Sequence, residues 1–108
     1  MQTFEETGIQ PELLKAIKEL GFETPTDIQK KTIPHLLKEN SDLLALAQTG
    51  TGKTAAFGLP LIDRIDKSSK KTQAIILSPT RELCVQISND LKSYAKYTEG
   101  LRVATVYG

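Results

Sequence analysis

The stretch Ala47-Gln48-Thr49-Gly50-Thr51-Gly52-Lys53-Thr54, directly after the apolar run Leu43-Leu44-Ala45-Leu46, constrains this chain more than any other part of it. So dense a mixture of glycine, threonine and lysine is poor core material, and it does not have the form of an ordinary hairpin turn. A strand, a Gly-rich loop, Lys-Thr and then a helix is instead the arrangement that cradles phosphates. Backbone N–H groups converge on the anion, and the helix N-terminus adds a favourable dipole. Gly50 and Gly52 let the backbone approach without a Cβ in the way. In such a loop Lys53 reaches the β- and γ-phosphates and the Thr54 hydroxyl ligates Mg²⁺. The usual pattern starts with Gly; Ala47 holds that place here, so the strict form is missed by one residue. The loop from Ala47 to Thr54 is read as holding nucleotide phosphates, with Lys53 and Thr54 as the catalytic pair.

The rest of the chain supplies a matching scaffold. Pro11 to Leu20 predicts a short helix with Leu13, Leu14, Ile17 and Leu20 on one face and Gly21 placed to end it. Thr24 to about Lys38 predicts a second, with Thr24 as N-cap, Pro25 at the first helical position and Asp27 where a capping box wants an acid. Pro34 is expected to break or kink it. Leu43 to Ala47 reads as a buried strand, and a helix follows from about Gly52-Lys53 to Ile65, kinked at Pro60. Its Ala55, Ala56 and Gly58 would let it approach a sheet closely. Ala74-Ile75-Ile76-Leu77, within Gln73 to Ser78, is a continuous apolar run of the kind buried on both faces of a parallel sheet. A helix carrying Leu83, Ile87, Leu91 and Tyr94 and a third strand from Arg102 to Tyr107 complete a βαβ pattern. The expected fold is α/β, a parallel-sheet P-loop NTPase domain. No helix follows to cover the last strand, so the sheet reads as incomplete and the chain as a fragment.

Length and composition bound this reading. The 108 residues suit one domain, and 39% hydrophobic with 25% charged residues is ordinary for a globular protein. A net charge of +1 offers no global basic excess, so any contact with nucleic acid must be local. One cysteine, Cys84, excludes an internal disulfide and a Cys-based zinc site and suits a reducing compartment. With no apolar run near the roughly 18 residues of a membrane span and no signal-peptide pattern, the expectation is a cytoplasmic protein with no membrane partner.

Gly21-Phe22-Glu23-Thr24-Pro25-Thr26-Asp27-Ile28-Gln29 is the second informative stretch. At about 100° per residue Gln29 falls near the centre of the arc of Ile28, Ile33, Leu36 and Leu37, so its amide needs partners. An adenine edge offers a donor and an acceptor in suitable geometry, and Phe22 can stack on the same ring. Taken alone, the pattern fits better a glutamine bonded to backbone beside the core, with Phe22 a plain core residue.

The motifs taken together carry a resemblance. Phe4, Gly21-Phe22, Pro25-Thr26-x-Ile28-Gln29, the loop from Ala47 to Thr54 and Pro79-Thr80-Arg81-Glu82-Leu83 occur in the order and spacing of the DEAD-box RNA helicases, across essentially the whole chain. The chain resembles the first part of a RecA-like domain, with a Q-motif helical segment over 1–40 and the ATP-binding core over 41–108. Ala47 in place of glycine is itself this family's habit, whereas Asp27 stands where many members have Pro. The resemblance implies ATP and Mg²⁺ as ligands, Gln29 reading adenine, Phe22 stacking on it and the Thr24 backbone adding a contact. The cysteine-poor, compact style points to a bacterial member.

On the RNA side, Pro79-Thr80-Arg81 opens a helix with Thr80 able to cap it, and the free N–H groups of that turn form an anion site. A capped turn with Arg81 paired to an acid is an equally good reading of those residues alone. The resemblance favours sequence-independent contact with the RNA sugar-phosphate backbone, and Gly108 matches the first glycine of a further RNA-facing motif. Lys67, Lys70 and Lys71 read as a solvated loop, His35 as a surface or helix-end residue, Cys84 as a small buried residue, and Tyr94 and Tyr97 as packing or helix-end residues. The Asp-Glu-Ala-Asp and Ser-Ala-Thr sequences, and the second RecA-like domain that would complete hydrolysis in the family, do not occur in these residues. The resemblance therefore implies an ATP-dependent RNA helicase whose present segment binds nucleotide without turning it over. Two alternatives stand beside it: another P-loop enzyme such as a small nucleotide kinase or transporter ATPase, and a non-catalytic nucleotide- or RNA-binding module.

Overall fold

The computed structural model describes residues 3–38 and 52–107. The predicted first strand, residues Ala47 to Thr51 of the loop, and Gly108 lie outside the described residues. Four helices form: α1 (Pro11–Glu19), α2 (Asp27–Lys38), α3 (Lys53–Arg64) and α4 (Arg81–Tyr94), with a 3-10 turn at Glu5–Thr7 ahead of them.

Pro11 occupies the first turn of α1, where a missing N–H costs nothing. The helix ends as its glycine predicts. Gly21 takes φ +91°, its N–H bonds to the Lys18 carbonyl at 3.1 Å, and the Phe22 N–H reaches back to the Ile17 carbonyl at 3.0 Å. This paired closure needs a left-handed residue, and it folds Phe22 back against the core instead of into solvent. The same core takes Leu13 and Ile17 from α1, Ile33 from α2, Ala55, Leu59 and Ile62 from α3, and Leu91 and Tyr94 from α4, with Phe4 and Ile9. The helices of 1–40 thus share one apolar interior with those that follow.

Three expectations for α2 are corrected. Its N-cap is Thr26 and not Thr24: the Thr26 carbonyl accepts from the Lys30 N–H at 2.9 Å, and Thr26 Oγ1 accepts from the Gln29 N–H at 3.4 Å. The capping-box partner is Gln29 and not Asp27, because Gln29 Oε1 accepts from the Thr26 N–H at 2.9 Å. Starting the helix two residues later leaves Pro25 outside it, and the sequence Thr-x-x-Gln is itself a capping-box signature. Pro34 does not break the helix, which continues to Lys38. It forfeits one backbone bond a turn before the end, and burial of Ile33 and Thr32 beside it holds the helix together. The helix of Pro60 likewise continues to Arg64.

The parallel sheet is not formed among the described residues. The segments predicted as strands, 73–78 and 102–107, carry no ladder. Ile75 and Leu77, expected to be buried on both faces, are 79% and 91% exposed, and Val106 is 83% exposed. A strand is stable only where a neighbour at about 4.8 Å takes its N–H and C=O groups, and no described segment does so here. Gly58 of α3 faces another helix: a Cβ there would come within 2.7 Å of Leu91 Cδ2, so the close approach at this position is to α4.

Candidate functional site

The site is built where the start of α2 meets the start of α3. Gly52 is the N-cap of α3, with φ +85° and no side chain of its own to bond the first turn. Its carbonyl accepts the Ala56 N–H at 3.1 Å, closing the first turn. The same carbonyl accepts Gln29 Nε2 at 3.3 Å. Gln29 is 3% exposed. It therefore joins two helix starts: its Oε1 holds the Thr26 backbone at the head of α2, and its Nε2 holds the Gly52 backbone at the head of α3. A Cβ on Gly52 would collide with Gln29 Nε2 and reach within 3.4 Å of Thr26 Oγ1, so the Gln29 amide fits against this turn only because position 52 has no side chain.

Both partners of Gln29 are backbone groups, the plainer of the two readings its position allowed. An amide has two N–H groups and a carbonyl with two lone pairs, so each end keeps one further bond for a ligand edge. Phe22 is half-buried between two rings, tilted on Phe4 at 5.8 Å and edge-on to Tyr94 at 5.9 Å. Thr24 is exposed. Lys53 is exposed and Thr54 half-buried, both in the first turn of α3. A helix start entered through a left-handed glycine and followed by Lys and Thr brings backbone N–H donors, a cation and a hydroxyl into one turn. That donor set fits a phosphate group with Mg²⁺.

At α4 the cap is as expected: Thr80 Oγ1 accepts from the Leu83 N–H at 3.1 Å. Pro79 and Arg81 are exposed, and the Arg81 guanidinium lies 4.9 Å from the centre of the Tyr107 ring. Arg81 thus lies over an aromatic face at the head of the helix.

Other candidates resolve simply. Lys67 is not part of a solvated patch: its Nζ donates to the Ile62 carbonyl at 2.6 Å and the Asp63 carbonyl at 3.4 Å, closing the end of α3. A cation there meets the negative end of the helix, which the run of lysines concealed. Lys70 and Lys71 are exposed. Cys84 is half-buried with its Sγ 3.8 Å from the Val106 carbonyl. Tyr94 is core, and burial, with the Asp90 charge second, pushes its hydroxyl up to about 12. Tyr97 donates its hydroxyl to Glu19 Oε2 and lies under Lys15 at 4.3 Å. Thr26 is the residue of the site that sequence reasoning missed, though Thr-x-x-Gln at 26–29 was the signal for it. Among the described residues no group of histidine, cysteine or acid side chains could hold a metal by itself, and no helix is long and apolar enough to cross a membrane.

Comparison with known proteins bears on the family of the chain. The DEAD/DEAH box helicase family matches residues 26–108. The chain is 50% identical over 106 residues to the ATP-dependent RNA helicase DeaD of Haemophilus influenzae, covering 98% of this chain and 17% of that protein. It is also 50% identical over 108 residues to the ATP-dependent RNA helicase CshA of Listeria monocytogenes, covering 100% of this chain and 20% of that one. It therefore spans about a fifth of the length of these curated relatives. Among solved structures it is similar to a DEAD box protein from the hyperthermophile Methanococcus jannaschii, with a TM-score of 0.94 and 42% identity over 100% of this chain and 29% of that one. It is similar too to S. cerevisiae Dbp5 bound to RNA and ADP BeF3, with a TM-score of 0.85 and 40% identity over 92% of this chain and 26% of that one.

Proposed function

This chain belongs to the DEAD/DEAH box helicase family, and on that premise we propose that it is the ATP-binding part of an ATP-dependent RNA helicase that remodels short RNA duplexes in the cytoplasm. Its segment 1–40 reads the base, and 41–108 forms the first part of a parallel-sheet, RecA-like domain. The observation that carries the reading is the Gln29 bridge, which ties the helix start expected to meet adenine to the helix start expected to meet phosphate. Gln29, with its one spare donor and one spare acceptor, reads the adenine edge, while Phe22 and the Thr24 backbone flank the ring. The loop Ala47, Gln48, Thr49, Gly50, Thr51, Gly52 wraps the phosphates. Lys53 neutralises them and Thr54 ligates Mg²⁺. When bound, ATP supplies the phosphoryl group whose hydrolysis resets the helicase. Pro79, Thr80 and Arg81, with Gly108, hold the RNA sugar-phosphate backbone without reading sequence. The relatives named as ATP-dependent RNA helicases, and Dbp5 bound to RNA and ADP BeF3, support this assignment.

Calorimetric titration of the chain with Mg-ADP and, in parallel, Mg-GDP tests it. ADP binds at least about 10-fold more tightly if Gln29 reads the base. Equal affinities would leave the phosphate loop and discard the adenine reader, and no binding of either would overturn the reading as a whole.

A further inference from the structure

Tyr94 is the last residue of α4, 6% exposed, and none of the expected ligand contacts uses it. Its position is unusual in what it joins. Its ring meets Phe22 edge-on at 5.9 Å, and Phe22 in turn leans on Phe4. It also packs over α3 at Gly58, where an added Cβ would stand 3.7 Å from Tyr94 Cδ2 and Cε2. Phe22 precedes the Thr26–Gln29 cap, and α3 begins at the phosphate-facing Gly52-Lys53. The far end of α4 is the Thr80-capped turn bearing Arg81. One side chain thus touches both the segment assigned to the base and the helix assigned to the phosphates, and sits on the helix whose other end is the turn assigned to RNA.

We propose that Tyr94 is a positioning residue that couples nucleotide occupancy to the RNA-facing turn of α4, through its ring contact with Phe22 and its seat over Gly58. The inference rests on the function proposed above. A helix of 14 residues is about 21 Å of nearly rigid rod, so a small displacement or ordering of Phe22 or α3 at one end is delivered to residues 80–84 at the other. Edge-to-face ring contact and tight helix packing restrict the pair to few arrangements, which is what lets a shift pass along instead of being absorbed. The contact with Phe22 needs an aromatic ring at position 94. The hydroxyl plays no part in it.

Amide hydrogen exchange of the chain with and without saturating Mg-ADP tests the coupling, read at Leu83 and Cys84, whose N–H groups bond to Thr80 Oγ1 and the Thr80 carbonyl at 3.1 and 3.0 Å. In the wild type, nucleotide slows exchange at both amides roughly 5-fold, at the low end of ordinary couplings. Tyr94→Phe keeps that response. Tyr94→Leu still binds Mg-ADP by calorimetry but loses the response at both amides. Equal slowing in Tyr94→Leu would overturn the coupling, as would wild-type amides that do not respond while nucleotide is bound. In either case the nucleotide-binding function stands. A wild-type chain that binds no Mg-ADP would overturn the function, and the coupling with it. If Tyr94→Leu loses its helical circular dichroism, the wild-type ring resonances of Tyr94, which touches no expected ligand, decide instead. A shift of the Tyr94 ring on adding Mg-ADP supports the coupling, and an unmoved Tyr94 ring with nucleotide bound overturns it.

Discussion

At Gly52 three requirements meet in one residue: a left-handed backbone to enter α3, a carbonyl shared between Ala56 and Gln29, and an empty Cβ position filled by the Gln29 amide. No L side chain satisfies all three. Gly52→Ala forces a left-handed alanine, which costs about 1–2 kcal/mol, and also displaces Gln29 from its carbonyl. The expected outcome is a drop in stability of that size in thermal melts and a loss of Mg-ADP affinity of at least about 10-fold in calorimetry. Gln29→Ala separates the two effects. It removes one half of the capping box, costing about 1 kcal/mol, and leaves Gly52 free to hold its conformation. Under the proposed function it therefore lowers discrimination between ADP and GDP more than it lowers phosphate binding. Wild-type stability and affinity in Gly52→Ala would show that the Gln29 bridge is not needed.

Between elements, α1 and the end of α4 are fastened by a surface cluster in which the Tyr97 hydroxyl and Lys96 Nζ both bond to the Glu19 carboxylate, the lysine at 2.9 Å. The Tyr97 hydroxyl first, and Lys96 second, hold the Glu19 carboxyl below its ordinary value, while the bond to Glu19 raises both Tyr97 and Lys96. A depressed acid stabilises above its ordinary value near 4.5 and loses that effect as pH falls through the lowered one. A raised phenol or amine stabilises below its ordinary value, near 10.0 for Tyr97, and loses the effect as pH rises through the raised one. The latch is therefore closed from about pH 4.5 to about pH 10. The Glu19 and Lys96 side chains are 42% and 60% exposed, so solvent screens most of the attraction. Glu19→Gln should lower Tm at neutral pH and low salt by a few degrees or less, and the difference should shrink as pH falls below about 4.5 or as salt rises to about 1 M. A difference that persists under both conditions would mean packing, not charge, carries it. Elements of this kind also show what was legible in the sequence. The four helices and the Thr80 cap follow from local periodicity and capping, so they could be read from a few adjacent residues. The cap of α2 was misplaced by two residues because Thr24 and Thr26 both fit an N-cap, and only the bond back from Gln29 decides between them. Lys67 closing α3, Gly58 meeting α4 and the Phe4–Phe22–Tyr94 stack are contacts between distant positions, which no local pattern encodes.

At the scale of the whole molecule, one apolar interior holds all four helices, while the apolar segments at 74–77 and 106–107 stand open. Strand pairing is the most non-local feature of an α/β domain. The helical packing that aligns Gln29 with Gly52 thus exists here without a sheet among the described residues. That separation bears directly on activity. Under the proposed function, binding a nucleotide draws on the Gln29 bridge, the loop and the head of α3, whereas hydrolysis also needs an acid to hold metal and position water, and a cation to stabilise the transferring phosphoryl group. The 108 residues contain neither an Asp-Glu-Ala-Asp nor a Ser-Ala-Thr sequence. Lys53 alone can neutralise phosphate charge but cannot activate a water. The chain is therefore expected to bind Mg-ADP and to show no RNA-stimulated release of phosphate above a Lys53→Ala control in a steady-state assay. RNA-stimulated turnover by the wild-type chain that disappears in Lys53→Ala would mean that other carboxylates of this chain act as the missing acid. Asp63 would not be among the first to examine, since its Oδ1 is already bonded to the Gln10 N–H at 2.9 Å at the end of α3 away from Lys53.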